Sequence, residues 1–313
     1  MSNAPILVTG SHRSGTTWTG KTLAASQQLA YVHEPLNPKR SPGWAGNRIP
    51  YWYLYICRDN ERYYRDVFER VMALRYPIKD NLTEVRGLRQ LALFASDAPR
   101  SLVYRARSLR PLVKDPLALF SAEWLAEAFG MQVVVLIRHP AGFASSLKRL
   151  NWQFKFRSWL AQDLLMRDWL GPFQRQMHDY WVRDVDVVDQ AILMWNAIHH
   201  VIREFQTRHP TWIFLRYEDL ARAPRERFRT LYDRLALRWG TGVERAIARN
   251  SAAGNPREVA WWRHQSVRRA STDAAATWRY RLTEEEQARV RAGVGEVASS
   301  FYDAEDWSEQ LRS

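Results

Sequence analysis

The 313-residue sequence holds a single cysteine, Cys57. An intramolecular disulfide is therefore impossible, and so are metal sites that need two or more thiolates. No apolar run approaches the ~20 residues that a membrane-spanning helix needs. Nothing near the amino end reads as a signal peptide, because residues 5–10 look like a core strand; the expected location is the cytoplasm. Acidic residues are few beside basic ones, 33 Asp and Glu against 46 Lys and Arg, which leaves a net charge of +13. That balance points to anionic ligands, anionic polymers or a membrane surface. No zinc-ligand spacing and no RNA-binding signature accompany the charge, so neither metal nor nucleic acid is expected. Repeats and low-complexity tracts are missing as well. The length suits one sizeable α/β core, and the chain is read as a single domain, 1–313.

What is present begins at residue 5. A short apolar run is followed by Gly10, Ser11, His12, Arg13, Ser14, Gly15, Thr16 and Thr17. The pattern then turns helical. A strand, a small-residue loop and a helix start make an anion cradle: glycines let the backbone come close, N–H groups converge, and the helix N-terminus adds partial positive charge. Arg13, Thr16 and Thr17 add side-chain donors, and the ligand expected is a phosphate. The same stretch contains a decoy. Gly15-Thr-Thr-Trp-Thr-Gly20-Lys21-Thr22 fits the ATP-binding pattern G-x-x-x-x-G-K-[ST]. That motif needs its first Gly close to the strand end and its Lys at the helix start. Here Gly15 stands several residues late, and Lys21 falls more than a turn into the helix, where it reads as a surface lysine.

Strand-like and helical segments alternate along the rest of the chain. Apolar stretches at 112–114, 132–137 and 212–215 read as strands. Helical periodicity covers 61–76, 140–150, 188–207 and 225–235. Ser121 looks like the cap of a helix ending at Phe129, and Thr283 with Glu286 forms a capping box. The expected fold is α/β, a parallel sheet flanked by helices, with ligands at the carboxyl ends of the strands. Two segments, 36–60 and 151–186, are irregular and aromatic-rich. Their rings suit an acceptor groove, ordinary packing, or, over 152–173, a membrane surface.

A second anion clasp follows the strand at 132–137. Arg138 stands at its carboxyl end, and Ser146 lies about two turns along the next helix. Two clasps on one sheet edge suggest a nucleotide with phosphates at both ends of its ribose. Here the chain resembles the sulfotransferases that use 3'-phosphoadenosine 5'-phosphosulfate (PAPS). The resemblance implies a P-loop-like nucleotide-binding fold. It assigns Arg13, Ser14, Gly15, Thr16, Thr17 and Trp18 to the 5'-phosphosulfate, and Arg138 with Ser146 to the 3'-phosphate. Arg216-Tyr-Glu-Asp-Leu220 resembles the family segment whose tyrosine, here Tyr217, lies near the adenine. Trp278-Arg-Tyr-Arg-Leu-Thr283 resembles the end of the last nucleotide-binding segment. Before it the family carries a basic, glycine-containing stretch; this chain offers Arg268 and Arg269 without the glycines.

His33-Glu34-Pro35-Leu36 and Lys114-Asp115-Pro116 resemble the carbohydrate and tyrosyl-protein branches. There a glutamate like Glu34 acts as base and a lysine like Lys114 assists transfer. Pro35 is expected to hold Glu34 extended. The implied reaction moves a sulfuryl group from PAPS to an acceptor hydroxyl, on a carbohydrate or glycolipid, leaving 3',5'-ADP without metal help. Arg13 and Lys114 can offset charge on the leaving phosphate, and Glu34 can take the hydroxyl proton. His33 and His12 are rival bases. Two other functions fit parts of the sequence: an ATP-dependent kinase built on residues 15–22, and a non-catalytic polyanion- or membrane-binding protein explained by charge alone.

Overall fold

The computed structural model describes residues 3–46, 48–251 and 275–308. Arg268 and Arg269 lie outside the described residues. The chain groups into two compact units. One takes residues 1–10, 16–134 and 229–243; the other takes 11–15, 135–228 and 244–313.

Strand β1 (Ile6–Gly10) is buried throughout, as its unbroken apolar run requires. It leads through the loop 11–15 into helix α1 (Thr16–Ala24). Then come β2 (Leu29–His33), α2 (Arg65–Met72), α3 (Leu88–Ala106) and β3 (Arg110–Lys114). In this first unit β1 and β2 both pair with β3 in parallel, Val8 and His33 each lying opposite Lys114. Arg110, largely buried, ties the start of β3 to its surroundings by donating to the carbonyls of Ala4 and Leu235 and to Gln132. Helix α4 (Ala122–Phe129) ends at Gly130, whose φ of +62° is the left-handed stop that glycine supplies.

The chain continues through β4 (Gln132–Ile137), α5 (Pro140–Arg149), α6 (Gln174–Val182), α7 (Val187–Arg208), β5 (Ile213–Arg216), α8 (Tyr217–Arg222) and α9 (Glu284–Ala298), with turns and further, mostly shorter helices between them. Met194, Trp195, Ile198, Val201, Ile202 and Phe205 recur at helical spacing on α7, and all are fully buried. In this second unit α7 packs on α5 and on α9. The five strands form a parallel sheet in the order β2-β3-β1-β4-β5, flanked by helices, as the alternating pattern predicted.

The differences from the sequence reading are local. Helix α1 stops at Ala24, short of Leu29, to which the helical pattern after the cradle runs, and α3 carries no expectation at all from periodicity. Ser121 does precede α4 but caps nothing: its hydroxyl donates to the Leu54 carbonyl and accepts from the Ile56 N–H, tying down the 36–60 segment. The capping box at α9 forms as read, with reciprocal bonds between Thr283 and Glu286. In the two aromatic segments Trp44, Tyr53, Tyr55, Phe154, Phe156 and Trp159 are buried, so packing takes most of these rings. No helix among the described residues is long and apolar enough to cross a membrane.

Candidate active site

In the second unit the loop 11–15 turns tightly. The Ser14 N–H and hydroxyl both donate to the Ser11 carbonyl, the hydroxyl at 2.5 Å, so Ser14 closes the turn. Arg13 has φ of +67° and Gly15 of +91°. A left-handed arginine is unusual and marks a loop shaped for more than chain reversal. Gly15 has a second reason to be glycine: a Cβ there would lie 2.6 Å from the Tyr217 ring.

Residues far apart in sequence meet at this loop. Arg13 Nε donates to Ser146 Oγ at 3.0 Å. Arg138 donates to the Arg13 carbonyl, and its guanidinium lies 5.0 Å from the centre of the Tyr217 ring, a cation–π contact. Arg138 and Ser146 are only 5% and 4% exposed. Arg13, Gly15, Arg138, Ser146 and Tyr217 thus form one cluster, where the sequence suggests two separate clasps.

Two residues hold Arg138 that the motifs did not single out. Trp195 Nε1 donates to the Arg138 carbonyl at 2.9 Å. The next N–H, of His139, donates to Glu218 Oε1, and Tyr302 donates its hydroxyl to Glu218 Oε2. Burial pushes the Glu218 carboxyl up, against the pull of the His139 N–H and Arg138. Position beside Tyr217 was the only sequence signal for Glu218, and Trp195 looked like core.

In the first unit, Thr16 and Thr17 open α1, whose first turn has no acidic residue to compete with an anion. Trp18 faces inward, 6% exposed. Lys21 is exposed, as read. Gly20 brings α1 close to β3, since a Cβ there would lie 2.9 Å from Lys114 Cγ. Lys114 therefore sits about 6 Å along the helix from Thr16, at 1.5 Å per residue.

Lys114 is fully buried, and its ammonium donates to Glu34 Oε1. Glu34 Oε2 accepts from Asn37 Nδ2 at 2.8 Å. Glu34 does not have the extended backbone expected before proline: its φ is +48°. Its N–H continues the sheet by bonding the Lys114 carbonyl, and its carbonyl accepts from the Asn37 N–H. That turn closes over the strand end at the cost of a left-handed residue. Asp115 secures the same turn. Its Oδ2 accepts from the Leu36 N–H at 2.6 Å and its Oδ1 from the Leu117 N–H at 2.9 Å.

Burial raises the Glu34 carboxyl, but the Lys114 charge, His33 and the bonds from Lys114 and Asn37 outweigh it and hold it at about 2. Burial lowers Lys114, against Glu34. Asp115 is pushed up to about 7, by burial first and then by the Glu34 charge. His33 falls to about 3 through burial and Lys114, so it is neutral near pH 7. His12 packs its ring on Phe143 and Trp152, centres 5.0 and 4.8 Å away. In this geometry the basicity of Glu34 is spent on one ammonium.

Residues 5–241 match the model of the sulfotransferase family. The chain belongs to that family. Among solved structures this sulfotransferase is similar to the sulfotransferase domain of the curacin biosynthetic pathway, at 15% identity, covering 92% of this chain and 96% of that one, TM-score 0.49. It is similar to the sulfotransferase domain of the Synechococcus olefin synthase, at 15% identity, 96% and 95% coverage, TM-score 0.46. A sulfotransferase from Mycobacterium avium aligns at 16% identity over 95% of this chain and 76% of its own, TM-score 0.44. No curated protein matches the sequence.

Proposed function

We propose that this sulfotransferase moves a sulfuryl group from PAPS to the hydroxyl of a carbohydrate or glycoconjugate, and that the whole chain serves that one activity. The observation that carries the donor is the meeting of Arg13, Arg138, Ser146 and Tyr217 at a glycine that only an absent side chain lets Tyr217 approach. Arg138 Nε is buried and has no hydrogen-bond partner among the described residues. The group fits such a cluster: two phosphates and an adenine want two arginines, hydroxyl donors and a ring. The bound donor supplies an activated sulfuryl group on a good leaving phosphate.

The chain's residues supply the rest. Arg138 and Ser146 hold the 3'-phosphate. Arg13 with the backbone of 14–17 and the hydroxyls of Thr16 and Thr17 holds the 5' end. A new S–O bond forms to the acceptor oxygen as the S–O bond to the phosphate breaks, and the acceptor proton passes to Glu34 Oε1. Lys114 is the largest influence lowering Glu34. Once its ammonium turns to charge growing on the leaving oxygen, Glu34 rises toward the range of a working base. Arg13 and Lys114 together offset that charge.

Calorimetric titration tests the donor. 3',5'-ADP should bind about 10- to 100-fold tighter than 5'-AMP without Mg²⁺, the worth of one charge-assisted phosphate contact. Equal affinities would remove Arg138 and Ser146 from the site. Transfer from labelled PAPS onto an acceptor library tests the acceptor.

A further inference from the structure

Helix α3 exposes an apolar face. Its inward side carries Asp97, Ala98 and Ser101 with half-buried Leu93, Phe94 and Tyr104, and Asp97 bonds Arg40 at 2.8 Å. Its outward side carries Leu88, Leu91, Ala92, Ala95, Pro99, Leu102, Val103 and Ala106, all exposed; Leu88 is 87% exposed and Leu102 55%. At ~100° per residue these fall in one stripe roughly 120° wide, running about 28 Å along the helix. Arg89, Arg100 and Arg107 line one border and Arg105 the other, and all four are exposed. From 86 to 108 the only acidic residue is Asp97, which is turned inward, bonding Arg40 and lying 4.0 Å from Arg100.

We propose that α3 lies on an anionic lipid surface, with its leucines in the acyl boundary and its arginines on the headgroup phosphates. A large apolar stripe edged by one sign of charge is the pattern of an interfacial helix. Charge decides between occupants. A second copy of α3 would set four arginines against four, with no carboxylate to receive them, whereas phosphate headgroups complement them. A nucleic acid would engage the arginines but leave the leucines in water. The surface differs from the 152–173 stretch named from sequence, whose Phe154, Phe156, Trp159 and Trp169 are buried.

Cosedimentation with phosphatidylcholine vesicles, with and without 30% phosphatidylglycerol, tests the proposal. The full chain should partition to the anionic vesicles and not to the neutral ones, and added salt should weaken it. Arg89→Ala with Arg105→Ala should lower the partition coefficient about 30-fold, some five-fold per arginine. Leu88→Glu with Leu102→Glu should lower it at least ten-fold, while melting temperature stays within a few degrees of the parent. The proposal is overturned by no partition, by partition that both double variants retain, or by light scattering that shows a dimer which Leu88→Glu with Leu102→Glu dissociates.

Discussion

The Glu34–Lys114 pair makes a sharp test because its two members pull stability in opposite directions. Burial raises the Glu34 carboxyl, but the Lys114 charge and the bonds from Lys114 and Asn37 outweigh it and hold it low. Lys114 is lowered because nothing repays the whole loss of its water. The pair is thus worth little against an apolar substitute, yet costly to break from one side. Glu34→Gln leaves a buried ammonium beside a neutral amide and should cost ~3–5 kcal/mol. Lys114→Met removes the cation and fills the space beside Gly20; it should cost less. The double variant should recover part of the loss, giving a coupling of ~1–3 kcal/mol in urea unfolding. The pH dependence has a fixed sign. A depressed carboxyl contributes stability above its unfolded value, near 4.5, and loses it as pH falls toward 2. Glu34→Gln should remove that acid-side loss. On activity, Glu34→Gln should lower kcat about 10²–10⁴-fold with 3',5'-ADP affinity unchanged. Additive costs in the cycle would refute the electrostatic account, and a near-normal kcat where chemistry limits the rate would refute the base.

Arg13→Ala should lose transfer and nucleotide binding while the melting temperature holds, and Lys21→Ala should keep most activity; the reverse pattern in paired titrations would favour the ATP-type motif. Gly15→Ala puts a Cβ 2.6 Å from the Tyr217 ring at a φ of +91°, so nucleotide affinity should fall at least ten-fold in calorimetric titration. Asp115 is raised to about 7; a raised carboxyl is most favourable to folding below its unfolded value and loses that as pH rises through 7. Asp115→Asn should therefore flatten the fall in denaturation midpoint between pH 4.5 and 7.5.

Much of the fold was legible because its strands are buried on both faces and read as unbroken apolar runs, β4 above all. Periodicity found α7 because its inward residues are large and apolar. It gave no reading over α3, whose exposed face carries Leu88, Leu91, Leu102 and Val103 while Asp97, Ala98 and Ser101 turn inward beside half-buried Leu93, Phe94 and Tyr104. Large apolar residues fall on both sides of that helix, so no single stripe stands out against a polar one. Ser121 shows a smaller failure: a cap residue was read locally, while its hydroxyl was claimed by Leu54 and Ile56, far away in sequence.

The cluster around Arg13 was legible as a list of residues but not as an arrangement. Motifs named Arg13, Arg138, Ser146 and Tyr217; they could not say that Gly15 is glycine because Tyr217 lies on it, nor that Trp195 and Glu218 hold the Arg138 backbone from either side. Those links are tertiary and leave no spacing to read. The Glu34 turn is instructive in the same way. Proline after Glu34 favours an extended residue locally, by sterics alone. The turn is instead fixed by a sheet bond to the Lys114 carbonyl, by Asp115 on the Leu36 N–H, and by the buried ion pair, and together these outweigh a preference of one residue. A strained carboxylate held against a buried ammonium is stable only while both charges are present. That condition is what couples the stability of this strand end to the protonation state its proposed chemistry requires.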